Sequence, residues 1–87
     1  MDFCEYDNIV ALCKKVGVEK NKVYGDNNLI EFGKEGLIIR MADKMSRLKY
    51  FKEHNKLETG EAADAFLDII NYAIYALMMD KIKEGEK

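Results

Sequence analysis

Five polar side chains recur at spacings of three, four, three and four along an otherwise apolar stretch. They are Glu61, Asp64, Asp68, Asn71 and Tyr75, within EAADAFLDIINYAIYALMMD (61–80). At roughly 100° per residue the stretch reads as a helix, and this spacing stacks the five on one face. Ala62, Ala65, Phe66, Ile69, Ile70, Ala73, Ile74, Ala76 and Leu77 cover the rest of the circumference. A helix apolar nearly all round is usually buried. Carboxylates on such a helix are costly unless compensated, and three acids within two turns also repel one another. A bound divalent cation would relieve both problems, because hard cations take carboxylate oxygens. The plainer reading is a narrow, solvated acidic face.

A second charged row, Arg40, Asp43 and Arg47, lies on the preceding predicted helix. It runs beside a core stripe of Leu37, Ile38, Met41, Met45, Leu48 and Phe51. Lys44 falls inside that stripe, where a lysine needs a partner or must snorkel. The row is either a set of intrahelical ion pairs, worth a few tenths of a kcal/mol each, or a face turned towards the acidic stripe. A short turn near residues 55–58 makes the two helices antiparallel neighbours. Arg40 and Asp43 then come level with Asp68 to Tyr72, and Asp43 approaches Glu61, Asp64 and Asp68. Such acids can hold a divalent metal, and bases such as Arg40, Lys44 and Arg47 can hold phosphate oxygens. The pattern points towards a nucleotide di- or triphosphate.

The elements that must position these groups are legible in outline. Asp2 to Val16 reads as a first helix with Asp2 as N-cap. Its apolar face is Ile9, Leu12, Cys13 and Val16, and Gly17 is placed to end it. Residues 18–36 read as an irregular connection, with the turn-formers Gly25, Asp26, Asn27 and Asn28 and the apolar anchors Tyr24, Leu29, Ile30 and Phe32. A connection this long is usually functional or disordered; the anchors favour an ordered, functional one. The second helix runs from Gly36 to about His54, whose imidazole suits a helix C-terminus. Thr59 is the best N-cap for the third helix, and the charged tail KIKEGEK is expected to fray.

Eighty-seven residues make one domain. A chain of this size buries only about 60–65% of its unfolded surface. With 48% hydrophobic residues, some of its apolar surface is expected to be buried between subunits. A net charge of −2 gives no general case for nucleic acid or an anionic membrane as partner. The longest apolar runs fall short of about 20 residues, so no membrane span is expected. Cys4 and Cys13 would sit about 13 Å apart along one helix, too far for a disulfide; reduced thiols and a cytoplasmic location are the expectation.

Three segments in order carry a resemblance: Tyr24-Gly25-Asp26, then Arg40-x-x-Asp43-Lys44-x-x-Arg47, then Asp64-x-x-x-Asp68-x-x-Asn71-Tyr72. Together, over roughly Lys20 to Leu77, the chain resembles the nucleotide-modification-associated family of phages and bacteria. That family belongs with the all-alpha nucleotide pyrophosphatases, the MazG and dimeric dUTPase group. The wider group binds magnesium through Glu-x-x-Glu on one helix and Glu-x-x-Asp on the next. Glu61-x-x-Asp64 matches the second motif, and Arg40-x-x-Asp43 stands where the first would place two acids.

The resemblance implies an all-α bundle of three main helices per chain, completed by assembly into a homodimer or homotetramer. It implies a nucleotide-binding protein and, if catalytic, a magnesium- or manganese-dependent nucleoside triphosphate pyrophosphohydrolase. Asp43, Glu61, Asp64 and Asp68 would hold the metal. Arg40, Lys44 and Arg47 would take phosphates, and Tyr24 and Asn71 the base or sugar. The rival from a different class is a helical interaction module in which the acidic stripe pairs with Arg40 and Arg47 across an interface, with no ligand.

Overall fold

The computed structural model describes residues 1–26 and 31–85, the last five as backbone only. Among the described residues three helices carry the chain: α1 (Phe3–Tyr24), α2 (Gly33–Glu53) and α3 (Gly60–Gly85). The all-α expectation holds, and no strand occurs among the described residues.

The α2–α3 hairpin is the firm part. Its turn is closed by Asn55 in the left-handed region at φ 55°, which asparagine tolerates better than most residues. The Lys56 N–H donates to Phe51 O at 2.7 Å and the Asn55 N–H to Lys52 O at 3.4 Å, the paired bonds of a Schellman stop. His54 sits at this end as expected, its ring stacked on Tyr50 with centroids 4.0 Å apart. Thr59 caps α3: its Oγ1 accepts from the Ala62 N–H at 3.3 Å. Leu48 and Phe51 then pack on Ala62 and Ala65, with Ile69 alongside. The two alanines are small enough to let the helices approach closely.

The α2 core face is Leu37, Met41, Lys44, Leu48 and Phe51, at spacings of four, three, four and three. Ile38 and Met45, expected in the core, are 60% and 50% exposed. Lys44 lies on the packed face in their place, because its ammonium has a partner on α3.

Gly17 does not end α1. The helix continues another seven residues to Tyr24 and stops at Gly25, whose φ of 76° suits glycine. Residues 18–24, expected in the irregular connection, are therefore helical. Asn27, Asn28, Leu29 and Ile30 lie outside the described residues. Asp2 does cap α1, accepting from the Cys4 N–H at 2.9 Å.

The packed face of α1 is Cys13, Val16, Gly17, Lys20 and Asn21, while Ile9 and Leu12 are exposed. At Gly17 α1 approaches α3 closely. A Cβ at that position would lie 2.7 Å from Tyr75 Oη and 2.9 Å from Asn71 Oδ1, so the missing side chain is what permits the contact.

The orientation of α3 reverses the expectation from its composition. The C-terminal half of the polar stripe, Asp68, Asn71 and Tyr75, faces inward beneath α1. Much of the apolar surface, Phe66, Ile70, Ile74 and Leu77, faces outward at 40–70% exposure. The helix also stays regular to Gly85, past the point where the charged tail begins.

Candidate functional site

A cleft of about 230 Å³ opens where the three helices meet. Lys20, Asn21 and Tyr24 reach it from α1, Arg40 and Lys44 from α2, and Asp68, Asn71, Tyr72 and Tyr75 from α3. Its organising group is the buried carboxylate of Asp68. Lys20 Nζ donates to Asp68 Oδ1 at 2.6 Å, and Lys44 Nζ lies 3.0 Å from Asp68 Oδ2. One acid on α3 is therefore clamped by one ammonium from each of the other helices. Lys20 also stands 3.8 Å from the exposed Asp64.

The electrostatics follow from this geometry. Burial works against the charge of Asp68, but the hydrogen bonds and fields of Lys20 and Lys44 outweigh it and hold the carboxyl below its ordinary range. Burial likewise works against Lys20, and its bond to Asp68 outweighs it, raising the ammonium. Burial pushes the Tyr75 phenol up, with Cys13, Tyr72 and Asp68 adding to the effect. The Cys13 thiol is raised by burial and by the charge of Asp68.

Two amides complete the walls. Asn71 Nδ2 donates to the Cys13 carbonyl at 3.0 Å, which fixes this buried side chain against α1. Asn21 Nδ2 donates to Asp26 Oδ1 at 2.8 Å, so its amide orientation is set by a partner that can only accept. Asn21 Oδ1 is then left buried, with no hydrogen-bond partner among the described residues. A buried acceptor in that state is costly and marks a place where a ligand N–H or O–H would be welcome.

The residues anticipated from sequence divide. Tyr24, Arg40, Lys44, Asp68 and Asn71 converge on the cleft. Asp43, Arg47, Glu61 and Asp64 are exposed, and none of the four lines it. Lys44 supplies an α2 contact to the acidic stripe. Lys20 and Asn21 are not anticipated from sequence, because the first helix is expected to stop before them at Gly17, itself expected only as a helix end. The spacing Cys13, Gly17, Lys20, Asn21 was the available signal, since it continues one helical face.

The proposed magnesium donors do not close around an ion in this chain. No group of three or more His, Cys, Asp or Glu side chains among the described residues is placed to hold one. Both oxygens of Asp68 are already taken by ammonium groups, which would repel a divalent cation. Lys20, bridging Asp64 and Asp68, supplies the compensating positive charge that a metal had been invoked to provide. The feared repulsion along the stripe is thus met by lysine.

Comparison with protein-family models, curated proteins and solved structures finds no match. The functional reading therefore rests on the cleft.

Proposed function

We propose that this chain binds a nucleotide, with its polyphosphate held in the cleft by Lys20, Lys44 and Arg40. The observation that carries this reading is the convergence of three basic side chains, from two helices, on a cleft that holds a single buried carboxylate. The lining keeps a formal excess of two positive charges. Ammonium and guanidinium groups are the usual partners of phosphate oxygens.

The size of the cleft refines the proposal. At about 230 Å³ it falls below the roughly 300–1,000 Å³ typical of sites that enclose a whole ligand. It suits the phosphates, with the base lying at the mouth. Tyr24, on the rim and 64% exposed, offers a ring for the base to stack on. Asn21 Oδ1, without a hydrogen-bond partner among the described residues, supports a contact to a sugar hydroxyl or a base N–H. Magnesium or manganese would enter as counter-ion of the polyphosphate, held by phosphate oxygens and water. Among the described residues of one chain the carboxylates do not gather into a resident metal site.

A second reading has its own support. The Lys20–Asp68–Lys44 clamp ties all three helices together, so the triad could serve architecture alone, in an interaction module without a ligand. Calorimetric titration with nucleoside triphosphates, inorganic tripolyphosphate and nucleosides separates the two. Triphosphates and tripolyphosphate should bind, and nucleosides should bind far more weakly. Lys20→Met and Lys44→Met should each weaken binding by about 1.5–3 kcal/mol, the worth of a charged hydrogen bond. Failure of the folded wild-type protein to bind any polyphosphate would remove the nucleotide reading and leave the architectural one.

A further inference from the structure

We propose that a groove between α1 and α3 is a second binding site, for one medium-chain fatty carboxylate. Its volume, about 640 Å³, lies within the roughly 300–1,000 Å³ of sites that enclose a small molecule. Its walls are two apolar ridges. Val10 and Val18 form one on α1, and Ile70, Ile74 and Met78 form the other on α3, each 40–53% exposed. Val10 to Val18, like Ile70 to Met78, covers about 12 Å along a helix. With C–C bonds of about 1.5 Å, an extended chain of roughly ten carbons has that length. Methionine side chains such as Met78 adapt their shape to a flexible apolar guest.

The head group follows from the charges. Lys14 and Lys22 line the groove from α1, and neither has an ion pair among the described residues. Asp26 also lines it and accepts from Asn21 Nδ2 at 2.8 Å. The side chains that α3 contributes to the lining carry no charge. Two ammonium groups against one carboxylate leave an excess of one positive charge beside the apolar ridges. That excess complements a monoanion. A small hydrophilic anion would leave the ridges in water, whereas a fatty carboxylate covers them and sets its head beside the lysines. The stems of Lys14 and Lys22 can lie along the chain while their ammonium groups stay in solvent.

A lipid bilayer is the other source of such chemistry. The span Gly60–Asp80 is long and apolar enough to cross a membrane by length and composition, with mean hydropathy 1.3. Asp68 falls within it, however, and is paired with Lys20 and Lys44. Ionised groups at the middle of a span are expensive in hydrocarbon. A single acyl chain fills the groove and leaves those pairs undisturbed. Because the two ridges belong to different helices, the bound chain bridges α1 and α3 and favours the docked α1.

The site is tested without nucleotide, so its result is independent of the polyphosphate reading. Calorimetric titration of the full chain with decanoate, below its micelle concentration, should saturate at one molecule per chain. Decanoate should also raise the melting temperature. Decyltrimethylammonium carries the same tail with the opposite head and should bind about tenfold more weakly. Lys14 and Lys22 are exposed, so Lys14→Met and Lys22→Met should each weaken decanoate binding about two- to fivefold. Ile74→Trp fills the groove and should abolish binding with the helical circular dichroism retained. If Ile74→Trp loses its helical signal, Val18→Trp decides, since Val18 is 47% exposed. Four results would overturn the proposal: no binding of decanoate, equal affinity for the two head groups, unchanged binding in Val18→Trp, or uptake of many decanoates per chain without saturation. Flotation with phosphatidylcholine vesicles by a chain that ignores free decanoate would overturn it in favour of the bilayer.

Discussion

Neutralising Asp68 is the most informative single change. Its side chain is only 8% exposed, while those of Lys20 and Lys44 are 41% and 22% exposed. Asp68→Asn keeps the shape and removes the charge. One amide oxygen can still accept from one ammonium, but the amide NH2 faces the other. Breaking a fully buried pair costs about 3–5 kcal/mol. Water can reach Lys20 once its partner is lost, so that half of the clamp is worth about 0–1 kcal/mol. Lys44 is less accessible and its share is larger. A total of about 2–3 kcal/mol follows, or roughly 8–24 °C in melting temperature for a domain of this size.

The pH dependence has a definite sign. The folded-state pKa of Asp68 is depressed, so its contribution is fully present above the unfolded value of about 3.9. It is lost as pH falls through the lower folded value. The gap between wild type and Asp68→Asn should therefore be constant near neutrality and shrink below about pH 4. The assay is urea denaturation of both proteins followed by circular dichroism from pH 7 downward. An asparagine variant as stable as wild type at pH 7 would refute the clamp. It would restore the picture of a self-repelling acidic stripe, in which removing a charge brings relief.

Two further outcomes are expected. Thr59→Ala removes the side-chain acceptor at the start of α3 and should cost about 0.5–2 kcal/mol, read by the same denaturation. Cys4 is exposed and Cys13 buried. With its thiol pKa raised, Cys13 should resist a disulfide reagent at pH 8 until the protein unfolds, while Cys4 reacts at once.

The α2–α3 hairpin was legible in the sequence because its signals are local. Thr59 caps, Asn55 turns, and Leu48, Phe51, Ala62 and Ala65 recur at helical spacing. Gly17 was opaque for the opposite reason. Within α1 it looks like a stop, and only Asn71 and Tyr75, more than fifty residues away, explain why a glycine belongs inside a helix. Reading it as a terminus hid Lys20 and Asn21, and with them half of the cleft. The stripe on α3 teaches a related lesson. Periodicity identifies which residues share a face, not what covers that face. A mostly apolar helix suggested that its apolar side lay inward, but α1 settled on the polar side, where lysines and amides could satisfy it.

The three helices are held by unlike means. α2 meets α3 through aliphatic and aromatic packing, whereas α1 is tethered largely by Lys20 to Asp68, by the Cys13 carbonyl to Asn71, and by the Cys13 thiol to the Leu67 carbonyl. The ion pair among these contacts weakens as acid protonates Asp68, and apolar packing does not. In a single protomer α1 should thus lift away as a cooperative unit before the hairpin melts, and its amides should exchange with solvent at a lower free energy than those of α2. Because α1 carries Lys20, the cleft then exists only while that helix is docked. Polyphosphate binding would become a docking equilibrium, with the anion and the tether drawing on the same lysine.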